Sequence, residues 1–487
     1  MNRIPFFIVI LFMAGLVSCQ QVSSNQTESV QAVAPKNIIV MVSDGMSYNH
    51  LLAANYYQHG KAAAQVFEQE DWSQFASATY HAIVEIEDGD TTWAAGYNPR
   101  LAWSDPRYIM KDYTGSAEAA TALSTGRKTY ATAIGLGPTG DTLVHVSQAA
   151  KALGKSAGVI TSVPFSHATP AGFSAHVDSR HDYSGIASYM FFNTQLDLIM
   201  GAGHPDYDNN GQPQERNDHY VPSAALWDQI MANDGKTSFE EDGKTFVVKD
   251  VDGDGQPDPW TFVEDRDDFV ALASGETPKR VLGIAKAYST LHYGRDMAEN
   301  ETMPFTVPMN EQVPTLEEMT HASLNILDDN PNGFFLMIEG GAVDWAGHDN
   351  YLGRMIEEQV DFNHSVKAVV EWVETHSSWE ETLVIITSDH ETGYLTGPDH
   401  PQPINQPVIN QGAGNLPQAK WNSESHTNQL VPVFAKGPGI NILELMADER
   451  DPVRGPFIQN SEIGSTIFLL WGKPEIKVHQ LKSNGVD

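Results

Sequence analysis

The sequence is poorest in cysteine: Cys19 is the single one among 487 residues. No internal disulfide can staple the fold, and a structural metal site closed by thiolates is excluded with it. Basic residues are also scarce, with 29 lysines and arginines against 63 aspartates and glutamates and a formal charge of −34. So acidic a surface repels nucleic acid and anionic lipid, which removes both as partners of the folded body. The apolar stretch from Pro5 to Val17 is short for a membrane-spanning helix. What is present is hydrophobic content, 41% of residues, enough to bury a substantial core. The length admits about three domains of ordinary size, or one large α/β domain carrying insertions.

The amino-terminal pattern is that of an export signal over residues 1–18. Arg3 supplies a positive start, the apolar stretch follows, and Leu16-Val17-Ser18-Cys19 closes it. Small residues before a cysteine resemble the lipobox of bacterial lipoproteins, in which that cysteine is acylated and becomes the new N-terminus. A plain signal peptide is the alternative. On the lipoprotein reading, Cys19 anchors an exported chain in the periplasm or at the outer membrane or cell surface. Residues 19–36, polar and aperiodic, then form a flexible tether. Loss of residues 1–18 deletes Arg3 and no acid, which takes the formal charge from −34 to −35.

Several short β-rich runs end at a carboxylate or histidine. Asn37 to Ser43 stops at Asp44, and Phe334 to Ile338 at Glu339, with Asp344 and His348 just beyond. Thr382 to Ser388 stops at Asp389-His390, and Ser156 to Ser162 leads into His167, Thr169 and Arg180. Continuous apolar runs of this length predict strands buried on both faces, hence a parallel sheet between helix layers. Helical spacing of Ile356, Val360, Val366, Val370 and Val373 after Arg354 marks one flanking helix. Ligands of such sheets bind beyond the carboxyl ends of the strands, so four acid-bearing strand ends predict one shared site. Any one such acid, taken alone, is a cap or turn residue. Asp344 and His348, with three residues between them, can reach one ion from a single turn, and Asp389-His390 offers a carboxylate beside an imidazole. That nitrogen and oxygen set suits zinc, whereas Glu339, Thr169 and Asp44 suit a harder ion such as magnesium.

Residues 114–130 read TGSAEAATALSTGRKTY. Ala117 to Thr125 is a good helix-forming stretch that Gly126 ends, so Ser116 falls at a helix N-terminus. Free N–H groups and the helix dipole favour an anion such as phosphate there, while the plain alternative is a serine N-cap.

Taken together, SDGM, SAEAATALSTGRKTY, HATPAGFSAHVDSR, EGGAVDWAGH, TSDHETGY and SESHTNQL resemble the alkaline phosphatase family, in that family's order, from about residue 37 to residue 473. The resemblance implies a three-layer α/β sandwich with a large, mostly parallel central sheet flanked by helices. It implies hydrolysis of small phosphate monoesters, with Ser116 as nucleophile and Arg180 as clamp on the phosphoryl oxygens. Asp344, His348 and His426 match the ligands of one zinc; Asp44, Asp389 and His390 match those of a second. Thr169 and Glu339, with Asp44 bridging, match a third site that usually holds magnesium. A homodimer is also implied. Two ions about 4 Å apart would serve attacking and leaving oxygens, and a guanidinium can donate two parallel hydrogen bonds where lysine cannot.

Three positions depart from the common pattern. Gly115 stands where aspartate precedes the nucleophile, and that acid often helps orient the arginine. His167 and Trp345 stand where some members have aspartate and lysine. An imidazole beside the third site could favour zinc or another transition metal there.

Between Arg180 and Glu339 the family pattern fades, and about 190–310 is expected to form an inserted accessory region over the active-site edge or at a dimer interface. Asp250, Asp252, Asp254 and Asp258 are spaced like the start of an EF-hand calcium loop, but Thr261 stands at its twelfth position. Calcium and a solvated acidic turn both remain open there. A sulfatase is excluded because no C/S-x-P-x-R motif occurs. A phosphodiesterase of the same superfamily, or a non-catalytic metal-binding surface lipoprotein, stays open as the alternative.

Overall fold

In the computed structural model, residues 34–87, 90–94, 96–297 and 302–472 are described. The export signal, Cys19 and all but the last residues of the expected tether lie outside them. The continuous apolar runs become strands buried along their whole length, Asn37–Ser43 and Phe334–Gly340 among them. Such strands need cover on both faces, and the helices provide it.

Among the described residues, eleven strands form one sheet. In spatial order they are Glu449–Asp451, Gly455–Gln459, Ser73–Ala78, Val431–Lys436, Thr382–Thr387, Asn37–Ser43, Phe334–Gly340, Ser156–Pro164, Leu198–Ala202, Val281–Ile284 and Thr261–Val263. Only Val431–Lys436 and Glu449–Asp451 run against the rest. The expected sandwich with a mostly parallel sheet is therefore what the chain forms.

The two faces have separate cores. Ile39, Met41, Leu336 and Ile338 pack with Phe362 and Val366 of the long helix Leu352–His376 and with Leu324 of the helix Leu316–Leu327. On the opposite face Phe335 stacks at 6.0 Å on Phe173, and the Ser116–Thr125 helix packs there against Ala168–Gly172 and Ser461–Leu470. Alternate side chains of one strand thus serve two helix layers.

The segment read as an insertion is not detached from this frame. Leu198–Ala202, Val281–Ile284 and Thr261–Val263 extend the sheet edge by parallel pairing, and Ser238–Glu241 and Lys244–Val247 form a separate hairpin whose Phe239 and Phe246 meet the Phe192 ring.

The four strands singled out from the sequence are contiguous and parallel: Thr382–Thr387, Asn37–Ser43, Phe334–Gly340 and Ser156–Pro164. Register aligns their ends, with Val42 opposite both Glu339 and Thr387, and Glu339 opposite Thr161. Their acids meet at one edge for that reason.

Candidate active site

At this edge the chain leaves the Asn37–Ser43 strand through Asp44 and Gly45. Asp44 N–H donates to Gly340 O at 3.1 Å, and Gly45 N–H donates to Asp389 Oδ1 at 3.3 Å. Asp344 and His348 project from the short helix Ala342–His348, which starts directly after the neighbouring strand. His426 arrives from a two-residue strand paired with Glu391–Thr392. That pairing sets His426 opposite Thr392, two residues beyond His390.

The histidines are held with lone pairs facing inward. His426 Nδ1 lies 2.8 Å from Thr114 O, and His348 Nδ1 lies 2.7 Å from Glu424 O. A carbonyl can only accept, so each Nδ1 carries a proton, and in the neutral ring each Nε2 is an acceptor. Those two Nε2 atoms stand 3.0 Å apart and each is 3.4 Å from Asp344 Oδ1. Three acceptors around one point call for a cation. Thr392 Oγ1 donates to Asp344 Oδ1 and steadies that carboxylate.

A second group adjoins it. His390 Nε2 lies 3.3 Å from Asp389 Oδ2, 3.6 Å from Asp44 Oδ1 and 3.2 Å from Ser116 Oγ. The rings of His390 and His426 stack at 3.6 Å, which brings the two groups side by side. Glu339, paired in register beside Asp44, accepts a hydrogen bond from Thr161 Oγ1 at 2.5 Å, with Thr169 beside it. Asp44 Oδ1, Asp389 Oδ2, Glu339 Oε1 and Thr169 Oγ1 are buried with no hydrogen-bond partner. Buried orphan oxygens of this kind are costly unless an ion takes them up.

The electrostatics point the same way. Burial, then the charges of Asp389, Asp344 and Glu339, pushes Asp44 well above the usual carboxylate range. Burial likewise pushes Glu339 up to about 8, against the Thr161 hydrogen bond, and Asp389 up to about 6. Burial acts to raise Asp344 too, but when the rings are protonated the hydrogen bond from His426 and the charges of His348, His426 and His390 hold it well below its ordinary value. A bound dication would let all four ionise together. The residues present therefore fit the two-zinc and third-ion pattern that the resemblance implies.

Ser116 is the first residue of its helix, with Gly115 as the N-cap. Its hydroxyl is not spent on capping, contrary to the plain alternative, and it points toward His390. Arg180 reaches the same edge, its Nη2 lying 3.4 Å from His167 Nε2. Burial, then Arg180, pushes His167 down to about 3, so it is neutral at ordinary pH. Trp345 packs at 5.8 Å from the His167 ring. The structure thus gathers Asp44, Ser116, His167, Thr169, Arg180, Glu339, Asp344, Trp345, His348, Asp389, His390 and His426 at one edge.

Sequence reading missed Thr161, Thr392 and Glu118, along with the carbonyls of Thr114 and Glu424. None belongs to a ligand-like pattern. Only Glu118 carried a local signal, an acid three residues into a helix start. Asp250, Asp252 and Asp254 do converge, well away from this edge, but Lys279 Nζ makes ion pairs with Asp252 and, at 2.6 Å, with Asp258. An ammonium therefore already supplies positive charge to that loop.

The alkaline phosphatase family model matches residues 35–413. The chain is 28% identical over 532 residues to Alkaline phosphatase 4 of Bacillus subtilis, covering 96% of this chain and 95% of that one. It is 26% identical over 449 residues to the alkaline phosphatase of Escherichia coli, covering 87% and 86%. Against Alkaline phosphatase 3 of Bacillus subtilis it is 28% identical over 370 residues, or 75% of this chain but only 63% of that relative's length. Among solved structures, alkaline phosphatase of Thermus thermophilus superposes with a TM-score of 0.60 at 18% identity, covering 91% and 93%. The cold-active enzyme of Shewanella sp. gives 0.59 at 24%, covering 89% and 99%. A variant of the enzyme from the Antarctic bacterium TAB5, at 0.56 and 21% over 91% and 99%, has Mg bound in its M3 site.

Proposed function

The chain belongs to the alkaline phosphatase family, and on that premise we propose that it hydrolyses phosphate monoesters through a phosphoserine intermediate on Ser116. The observation that carries this reading is the approach of Ser116 Oγ to His390 Nε2, 3.2 Å, at the rim of a cluster of inward-facing acceptors. One zinc would be held by Asp344, His348 and His426 and another by Asp44, Asp389 and His390. Magnesium would sit with Thr169, Glu339 and Asp44. When bound, such ions supply Lewis acidity: they favour the serine alkoxide, withdraw charge from the phosphoryl and leaving oxygens, and ionise a water.

The chain's own groups do the rest. The first-turn N–H groups of the Ser116 helix and the Arg180 guanidinium attract and orient the phosphoryl oxygens. Ser116 Oγ gives up its proton to solvent and forms a bond to phosphorus as the bond from phosphorus to the ester oxygen breaks, and that oxygen takes a proton from solvent and leaves as the alcohol. Water then attacks the phosphoserine, releasing inorganic phosphate and restoring the hydroxyl. Neutral His167 leaves the arginine as the positive group facing substrate.

The test couples metal analysis to turnover of p-nitrophenyl phosphate and its bis ester. The expected result is about two zincs per chain, monoester turnover well above diester turnover, and loss of activity on chelation. Chelation should also lower the melting temperature, and zinc should restore it, because a ligand at 1,000 times its Kd stabilises by ~4 kcal/mol. Ser116→Ala should abolish both turnover and acid-trapped phosphoserine. Metal-free protein with full activity would overturn the mechanism, and a preference for the bis ester would make the chain a diesterase. The same reading has the chain exported and acylated at Cys19. A Cys19→Ala form that stays in the membrane fraction would refute the anchor.

A further inference from the structure

Gly115 offers no side chain to orient Arg180, and the guanidinium makes no ion pair among the described residues. Its approach to His167 is a long one, at 3.4 Å. What joins the two segments is the carboxylate of Glu118, 4% exposed in the first turn of the Ser116 helix. Its Oε1 accepts the Gly115 N–H at 2.5 Å, and its Oε2 accepts the Thr132 N–H at 3.0 Å. The carbonyl of Thr132 in turn accepts the backbone N–H of Arg180 at 2.9 Å.

Thr132 has φ of +72°, a left-handed conformation that a β-branched residue keeps only when its surroundings hold it. Here both its N–H and its carbonyl are engaged, one by Glu118 and the other by Arg180. Ile134 and Val177 exchange both backbone bonds at 3.1 Å, so the loop after Tyr130 and the segment ending at Arg180 are clamped together. One buried carboxylate therefore ties the backbone ahead of Ser116 to the backbone that carries Arg180.

We propose that Glu118 is a positioning residue that sets the separation between Ser116 Oγ and the Arg180 guanidinium. The inference rests on the reading of Ser116 as nucleophile. Glycine at 115 is its structural counterpart: a Cβ there would lie 3.2 Å from Glu118 Oε1 and 3.4 Å from Oε2. An acid at 115 would press against the carboxylate already in place, so the two arrangements exclude one another.

The test is a double-mutant cycle on the full-length, metal-loaded enzyme: wild type, Glu118→Gln, Arg180→Ala and both together. The readouts are kcat and KM on p-nitrophenyl phosphate and the inhibition constant of inorganic phosphate. Glu118→Gln keeps the size but turns an amide N–H₂ on one of two N–H donors. It should lower kcat/KM about tenfold and weaken phosphate inhibition, since a small misplacement of a reacting group is costly. In the Arg180→Ala background the same change should matter less than about twofold, because the residue being positioned is gone. Gly115→Ala, which crowds Oε1 without removing it, is the second variant should Glu118→Gln fail to fold. It should lose activity about threefold alone and none beside Arg180→Ala. Losses that multiply in either cycle would overturn the positioning role. Full activity of Ser116→Ala would instead remove the nucleophile reading on which that role rests.

Discussion

Gly45→Ala is the most direct probe of how the candidate site is assembled. Gly45 has φ of +80°, and a Cβ built on it would lie 2.7 Å from Asp344 Cα and 3.0 Å from both Asp344 Cβ and Thr392 Oγ1. Carbon atoms rest about 3.5–4.0 Å apart, so the added methyl requires a displacement of about 1 Å. Asp344 cannot yield by a rotamer change, since the closest atom is backbone inside the helix Ala342–His348. The left-handed conformation costs an L-residue ~1–2 kcal/mol and the overlap a further ~1–3 kcal/mol. Gly140→Ala separates the two parts. Gly140 has φ of +79° and nothing within 4 Å of its built Cβ, so it carries the conformational cost alone. Urea unfolding of both variants should place Gly45→Ala ~1–3 kcal/mol below Gly140→Ala. Metal ligation tolerates about 0.2 Å, so the shift of Asp344 against Asp44 should also reduce bound metal and lower kcat by about 10²-fold. Equal stability losses, together with unchanged metal content and turnover in Gly45→Ala, would refute this account of the site.

Two further expectations concern the frame. Glu358 is buried with Oε1 unpartnered, and burial, then Asp361 and Glu357, pushes it from 4.5 up to about 8. A raised carboxyl takes up a proton on folding, so its penalty is absent below about pH 4.5, grows as pH rises to about 8, and stays constant above. Glu358→Gln should therefore leave stability unchanged at pH 4 and raise it by ~3–5 kcal/mol at pH 9, at 1.36 kcal/mol per unit; a pH-independent effect would refute this origin. Arg280 lies under Trp260 at 3.7 Å and donates to the carbonyls of Leu196, Thr194, Asp258 and Lys249 at 2.9, 3.0, 3.1 and 3.3 Å. Arg280→Met removes the donor to the carbonyls of Leu196, Thr194 and Asp258, while Lys249 O keeps the Asp258 N–H at 3.1 Å, and should cost ~3–5 kcal/mol in denaturant unfolding; a loss below 1 kcal/mol would show that water replaces the guanidinium.

Much of the site was legible because it follows from local rules. An apolar run that ends at an acid marks a buried strand and its functional end, and four such runs in parallel neighbours must share an edge. Asp344 and His348 stand one helical turn apart, so their joint reach was implied by spacing. Ser116 was legible as a helix N-terminus, yet whether its hydroxyl caps the helix depended on Gly115 taking that place. Glu118 showed only a capping pattern. Its second oxygen is claimed by Thr132, and no local rule announces a left-handed threonine. The stretch about 190–310 lacked strong periodicity because its sheet strands are short and belong to the edge, where Thr261–Val263 has only one neighbour.

Sequence alone determined which chemistry the chain can support. It contains carboxylates and imidazoles at the ends of strands whose burial demands a parallel sheet, with a serine at a helix N-terminus and an arginine, the set the family resemblance joins. Their identities are covalent facts and their strand positions follow from hydrophobic patterning over a few residues. Tertiary structure decided how those groups are set against one another. The proton on each histidine is placed by a carbonyl from a distant segment, Thr114 for His426 and Glu424 for His348. The link from Ser116 to Arg180 runs through Glu118 and a threonine held left-handed. Such contacts join residues far apart in the chain, and only the packed sheet and its helices bring them within hydrogen-bonding distance.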